Sequence, residues 1–69
     1  MAINQHVVSR GDNWAVHEEG KEKATAIFVT QEQAIKIARQ KAIENKSILI
    51  IHGRDGKIRQ RHDYSKSTV

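Results

Sequence analysis

The chain has no cysteine and few aromatic residues, and both absences narrow what it can be. Without cysteine, neither a disulfide framework nor a thiolate metal site can form, which fits a reducing compartment. The aromatic residues are Trp14, Phe28 and Tyr64. A protein that binds single-stranded nucleic acid by base stacking needs several aromatic side chains on one surface. The composition therefore argues against binding of that kind.

Long apolar runs are also lacking. No stretch approaches the roughly 18 consecutive apolar residues of a membrane-spanning helix. The first five residues lack the apolar centre of a signal peptide. We therefore expect a soluble, cytoplasmic protein with no membrane partner.

The sequence has no recognisable catalytic pattern. Neither spacing of a Gly-rich phosphate-binding loop occurs, and the serines have no nucleophile-elbow context. The four histidines, at 6, 17, 52 and 62, are at none of the short spacings typical of zinc sites. A domain of 69 residues also offers little room for a cleft in which a carboxylate could have a shifted pKa. The sequence thus predicts no enzymatic activity, no metal, no cofactor and no small-molecule substrate.

Short β-prone runs surround one helical pattern. The first three runs cover residues 6–10, 14–18 and 25–29, and the third is short enough to be an edge strand. An aliphatic strand begins at Ser47, and a second, cationic strand follows a turn centred on Asp55 and Gly56. Asp-Gly is a favoured pair for a type I′ hairpin turn. The sequence therefore predicts a hairpin at each end of the chain.

The helix is the clearest local prediction. Thr30 and Gln33 form a capping box at its start, and the helix should run through about Glu44, with Asn45 as a left-handed stop. One stripe, at a spacing of about four residues, is formed by Ala34, Ile35, Ala38 and Ala42. Because three of these residues are alanines, the helix should lie close against a sheet.

The order of the elements predicts the fold class. It is α+β, a small two-layer domain whose antiparallel sheet of four to five strands (β-β-β-α-β-β) has one helix packed on one face. Residues 1–64 should form a single domain, and residues 65–69 a polar tail.

One helix leaves the second face of the sheet uncovered. Residues 48–51 are aliphatic at consecutive positions, and successive side chains of a strand point to opposite faces. The second face could be covered by the ends of the chain, a second copy or another protein. Alternatively, the strands curl and the side chains stay partly exposed. The residues predicted at a protein interface are Trp14, Leu49 and Ile51.

Positive charge is concentrated in the last hairpin. The chain has a net charge of +4, which favours anionic partners. The candidate nucleic-acid-binding residues are Arg54, Lys57, Arg59 and Arg61 in the hairpin, with Lys36 and Arg39 on the helix. Regular alternation would place Lys57, Arg59 and Arg61 on one face, where they could follow a phosphate backbone. Alternatively, cations on an edge strand prevent edge-to-edge pairing.

The pattern as a whole resembles a bacterial family, domain of unknown function 2188. The resemblance spans about Asn4 to Tyr64. It is carried by the motifs Asn4-Gln5-His6-Val7-Val8, Gly11-Asp12-Asn13-Trp14-Ala15-Val16, Thr30-Gln31 followed by Ala34-Ile35 and Ala38-Arg39, and Ile51-His52-Gly53-Arg54-Asp55-Gly56-Lys57-Ile58-Arg59. It implies a compact α+β domain and no known activity.

Two functional hypotheses follow. The first is a non-enzymatic binding module that contacts the nucleic acid backbone, without sequence specificity, through the basic C-terminal hairpin. The alternative is a protein-interaction or self-associating module that uses the uncovered apolar face of the sheet, as a homo-oligomer or with another protein.

Overall fold

A computed structural model describes residues 3–21 and 23–65 of the chain. The described residues form five strands and one helix: β1 (Gln5–Arg10), β2 (Asn13–Glu18), β3 (Ala26–Phe28), α1 (Gln31–Asn45), β4 (Ile48–His52) and β5 (Ile58–Asp63). The predicted α+β class and the order β-β-β-α-β-β are confirmed. Within these residues, no helix is long and apolar enough to cross a membrane.

The sheet is mixed, so the prediction of a purely antiparallel sheet is wrong. Its strand order is β3-β2-β1-β4-β5. The pairs β1–β2, β2–β3 and β4–β5 are antiparallel, whereas β1 and β4 are parallel. Two antiparallel steps make β3 run in the direction of β1. The helical crossover then returns β4 in that same direction beside β1.

The helix begins as predicted and ends one residue later. The Thr30 hydroxyl accepts a hydrogen bond from the Gln33 amide at 3.2 Å. The left-handed residue at the C-terminus is Lys46, with φ of 52°, and not Asn45. The amide of Lys46 donates to carbonyls of the last turn, so the left-handed residue closes the helix.

The core lies between α1 and one face of the sheet. Ala34, Ala38 and Ala42 are fully buried at the contact, as the alanine stripe predicted. The sheet contributes the larger apolar side chains of the core, which are Val7, Trp14, Val16, Leu49 and Ile51. Of the nine buried apolar residues in the described part of the chain, four are alanines. The core is therefore small, and domains with such a core commonly gain stability from a disulfide, a metal or a second subunit.

The chain turns back onto the core at Tyr64. Its amide donates to the Ser47 carbonyl at 3.0 Å, and its half-buried ring packs against the core cluster. The domain therefore reaches Tyr64. Of the predicted tail, Ser65 is described, and residues 66–69 lie outside the described residues.

An ion pair holds the turn after β2. Lys21 Nζ lies 2.8 Å from a carboxylate oxygen of Glu18. The hydrogen bond from Lys21, and then the positive charges of Lys21 and Lys41, lower the pKa of Glu18, although partial burial opposes this effect. A carboxyl whose pKa is lowered by folding stabilises the fold above its unfolded pKa and loses that contribution as the pH falls through its folded pKa.

Substitutions on the two faces of β4 should lower the stability of the domain by different amounts. We expect Leu49→Ala to destabilise the domain by about 2–5 kcal/mol, because the side chain is fully buried beneath α1. Ile50→Ala removes a half-buried side chain on the other face and should cost less than about 1.5 kcal/mol. Urea denaturation measures both. Equal losses would contradict the assignment of faces.

Replacement of Lys21 should change the acid stability of the fold. We expect Lys21→Met to lower stability slightly at pH 7, where Glu18 is ionised. The difference from the parent protein should shrink as the pH falls through the lowered pKa of Glu18, because protonation removes the charge that Lys21 pairs with. Thermal unfolding at pH 7 and pH 3 measures this difference. Lys23→Met, which removes an exposed cation of the same loop, is the control. A gap as large at pH 3 as at pH 7 would contradict the role of the ion pair.

Candidate interaction surfaces

The loop between β4 and β5 differs from the predicted type I′ turn. The Gly53 amide donates to the Lys57 carbonyl at 2.8 Å, and the Gly56 amide donates to the Gly53 carbonyl at 3.0 Å. Gly56 has a φ of 84°, whereas Asp55 is not left-handed. A type I′ turn requires positive φ at both central residues. The loop is therefore a three-residue connection closed by a left-handed glycine, and the Asp55 carboxylate accepts from the Lys57 amide at 3.1 Å.

A bulge at Arg59 interrupts the alternation of β5. Ile51 pairs with Gln60 and His52 with Ile58, so Arg59 is an extra residue on β5. Because Arg61 pairs with Ile50, it lies on the sheet face opposite the helix. The prediction that Lys57, Arg59 and Arg61 share one face is therefore wrong.

Two of the hairpin cations line one groove. The Arg54 guanidinium lies 5.1 Å from the centroid of the Trp14 ring, a cation–π contact. The side chain of Arg59 passes over Gly53, where a Cβ would lie 2.7 Å from Arg59 Nε. The residues that line this groove, here called the basic groove, are Trp14, Gln31, Gly53, Arg54 and Arg59.

The helix cations lie on a different surface. Lys36 and Arg39 are exposed and line a depression along the helix with Glu32, Gln33 and Ile35. The predicted nucleic-acid-binding residues are therefore distributed over the basic groove and its loop, the sheet face opposite the helix, and the outer surface of α1. Lys57, Arg59 and Arg61 do not form the row that regular alternation predicted, and Lys36 and Arg39 do not join them.

The predicted interface residues belong to the core. Trp14, Leu49 and Ile51 are 5%, 0% and 4% exposed, and all three lie beneath α1. Their assignment to a protein interface is wrong, because the alternation of β4 directs Leu49 and Ile51 towards the helix. The residues of β4 on the opposite side are Ile48, Ile50 and His52.

The sheet face away from α1, here called the open face, is covered by no element of the described chain. Register and alternation place on it His6, Val8, Arg10, Asn13, Ala15, His17, Ile27, Ile48, Ile50, His52, Ile58, Arg61 and Asp63. Ile27 and Ile58 are 53% and 61% exposed, at the two edges of this face. Ala15 is buried there because Val8 and Ile27 flank it on the neighbouring strands. The open face thus combines six apolar residues with three histidines, two arginines, an asparagine and an aspartate.

Two of these histidines are in contact. His6 Nδ1 lies 3.1 Å from His52 Nε2. The other nitrogen of His6 lies 3.3 Å from Glu19 Oε1, and His52 Nδ1 lies 3.4 Å from the Gly56 carbonyl. The contact of His52 with its loop agrees with its position at the end of β4. Among the described residues, no three metal-ligating side chains are placed to hold one ion together.

The comparison with known families agrees with the sequence motifs. The family described as "Uncharacterized protein conserved in bacteria (DUF2188)" matches residues 5–64. The chain belongs to this family. No curated protein and no solved structure matches the chain. Membership in DUF2188 assigns no activity to the surfaces described above.

The histidine contact could not be found from the sequence. His6 and His52 are 46 positions apart, and they meet because β1 and β4 pair in parallel. The sequence could have predicted only one neighbour for His6, across the first hairpin. His6 and His17 are opposite each other across the first hairpin, and a short turn fixes that register.

Proposed function

We propose that this DUF2188 protein is a non-enzymatic binding module that self-associates through the open face of its sheet. The observation that carries the proposal is the exposure of aliphatic side chains on an uncovered face. Ile27 and Ile58 are exposed there, and Val8, Ile48 and Ile50 are half-buried between them. These side chains alternate with polar ones such as His6 and Arg61, and apolar area gathered on one exposed face commonly marks an interaction site.

The dimensions of the open face support a second copy as the partner. Five strands about 4.8 Å apart, each about five residues long, give roughly 400 Å² in projection. Projecting side chains make the accessible area larger. A standard interface buries about 800 Å² per partner, so a dimer would need to bury the whole open face. Two such faces would pack as a sandwich about 10 Å apart.

The charges of this surface also support a second copy. Arg10 and Arg61 are on the open face, and so is Asp63. Glu19 lies at its rim beside His6. In a two-fold dimer, every contact between a residue of one copy and a different residue of the other copy occurs twice, once in each direction. A surface with both signs of charge can therefore be complementary to itself. A cytoplasmic location remains a prediction, supported by the absence of cysteine.

Nucleic acid binding is a second candidate, and the basic groove is the observation that favours it. Arg54 and Arg59 converge there beside the indole of Trp14 and the side chain of Gln31. Arg54 Nη1 also lies 3.5 Å from the Gly11 carbonyl, so this cation bridges the tips of the two hairpins. Guanidinium groups are suited to contacts with phosphate. The expected partner is the backbone of a duplex, bound without sequence preference.

Self-association is tested by Ile50→Lys. We expect the parent protein to sediment as a dimer at micromolar concentration and Ile50→Lys to sediment as a folded monomer, because the substitution puts a charge at the centre of the open face. Ile43→Lys is the matched control, since Ile43 is an exposed aliphatic residue on α1. Circular dichroism checks the fold of both variants. A monomeric parent protein, or a dimer of Ile50→Lys, would reject the proposal.

Nucleic acid binding is tested by Arg59→Ala against Arg61→Ala. These residues lie two positions apart on β5, but the bulge sends only Arg59 towards the basic groove. We expect Arg59→Ala to weaken binding to a random duplex by about 1 kcal/mol or more and Arg61→Ala to change it less. Fluorescence anisotropy at 50 and 200 mM salt measures both variants, and affinity should fall as salt rises. Absence of binding at low salt would eliminate this candidate.

A further inference from the structure

The contact between His6 and His52 fixes how many hydrogens the two rings hold. Their centroids are 5.3 Å apart with planes 27° from each other, while the facing nitrogens are only 3.1 Å apart. The rings therefore meet edge to edge, and a hydrogen bond joins them. A neutral imidazole has one donor and one acceptor nitrogen, whereas an imidazolium has two donors.

The partners at the two ends of this chain can only accept hydrogen bonds. Glu19 Oε1 faces His6 Nε2, and the Gly56 carbonyl faces His52 Nδ1. Both outer nitrogens must then carry hydrogens. The two inner nitrogens face each other, so a single hydrogen fits between them. All three contacts are made when the four nitrogens hold three hydrogens, which is one positive charge shared by two rings.

Glu19 is placed to balance such a shared charge. Asn4 Nδ2 donates to the other oxygen of this carboxylate at 3.2 Å, and the Asn4 side chain is itself fixed by a bond from the Ile48 amide at 3.0 Å. The carboxylate is thus held towards His6. With one shared proton, the unit of Glu19, His6 and His52 has no net charge, which suits a surface that packs against another apolar face.

A second proton would change both the contact and the charge. Two imidazolium rings would direct N–H groups at each other across 3.1 Å, and the unit would become positive. In a face-to-face dimer each copy would bring one such charge, and like charges across an interface disfavour association. The other titratable or charged groups on the open face or at its rim are Arg10 on β1, His17 on β2, Lys21 after β2, and Arg61 and Asp63 on β5, and Lys57 follows Gly56 in the β4–β5 loop.

We infer that the Glu19–His6–His52 unit is a proton-controlled switch for self-association, which binds a second copy on the open face while the rings share one proton and releases it when both are protonated. This inference rests on the proposed function and adds its regulation. Histidine is the side chain best suited to such a switch, because its charge ordinarily changes between about pH 5 and 8.

Sedimentation velocity at pH 7 and pH 5 tests the switch. The parent protein should dimerise at pH 7, and at pH 5 its dimerisation should be at least about tenfold weaker. His52→Gln should remain dimeric at pH 5, because protonated His6 then only neutralises Glu19. His17→Gln and His62→Gln should dissociate in acid like the parent protein; His62 lies outside the open face. A parent dimer that persists at pH 5, or a His52→Gln dimer that still dissociates there, would overturn the switch.

NMR of the ring nitrogens separates the switch from the proposed function. At the pH where the rings share one proton, a coupling across the N–H···N bond should join His6 to His52, and this coupling should vanish at pH 5. Absence of the coupling at every pH from 5 to 8 would overturn the shared proton. A parent protein that is monomeric at both pH values would instead reject the proposed function, and with it release by acid, whatever the rings show.

Discussion

The structure depends on one constraint. A single helix covers only one face of a sheet that has aliphatic residues on both faces. The crossover from β3 to β4 carries α1 over one side, and its alanines let it lie close to the strands. β4 nevertheless has aliphatic residues on both sides. Leu49 and Ile51 are covered, while Ile48 and Ile50 are not. Scattered exposed aliphatic residues are ordinary. Here several lie on one face that no other element of the described chain covers, and it is this concentration that favours a partner.

Local chemistry was predictable, whereas long-range geometry was not. The cap at Thr30 and the alanine contact follow from residues a few positions apart, so the sequence alone predicted them. The parallel pairing of β1 and β4 depends on where a crossover places a strand, and no local signal specifies that. The choice between the two sides of β4 could not be made either, since all four consecutive residues are aliphatic. The bulge at Arg59 changes the faces of β5, and nothing in the cationic run indicates it.

The two candidate surfaces are compatible with each other. The basic groove includes Trp14, which packs beneath α1, so it opens on the side of the sheet that a second copy would leave free. A dimer through the open face would therefore present two basic grooves. Binding of one duplex by both grooves would gain from effective concentration. The net charge of +4 on each copy acts against dimerisation. This repulsion is screened by salt, whereas apolar contact is not. Salt should thus affect the two surfaces in opposite ways.

The histidine pair connects the same constraint to proton binding. β1 and β4 are joined in parallel over the registered pairs Gln5–Leu49, His6–Ile50 and Val7–Ile51. On the helix side this junction is sealed by the core. On the open side it carries the contact between His6 and His52, next to the half-buried side chains of Val8 and Ile50. A second copy docked there would exclude water from the rings, and an unbalanced charge is least tolerated where water is excluded. Docking and uptake of a second proton would therefore oppose each other, because linkage between the two is reciprocal.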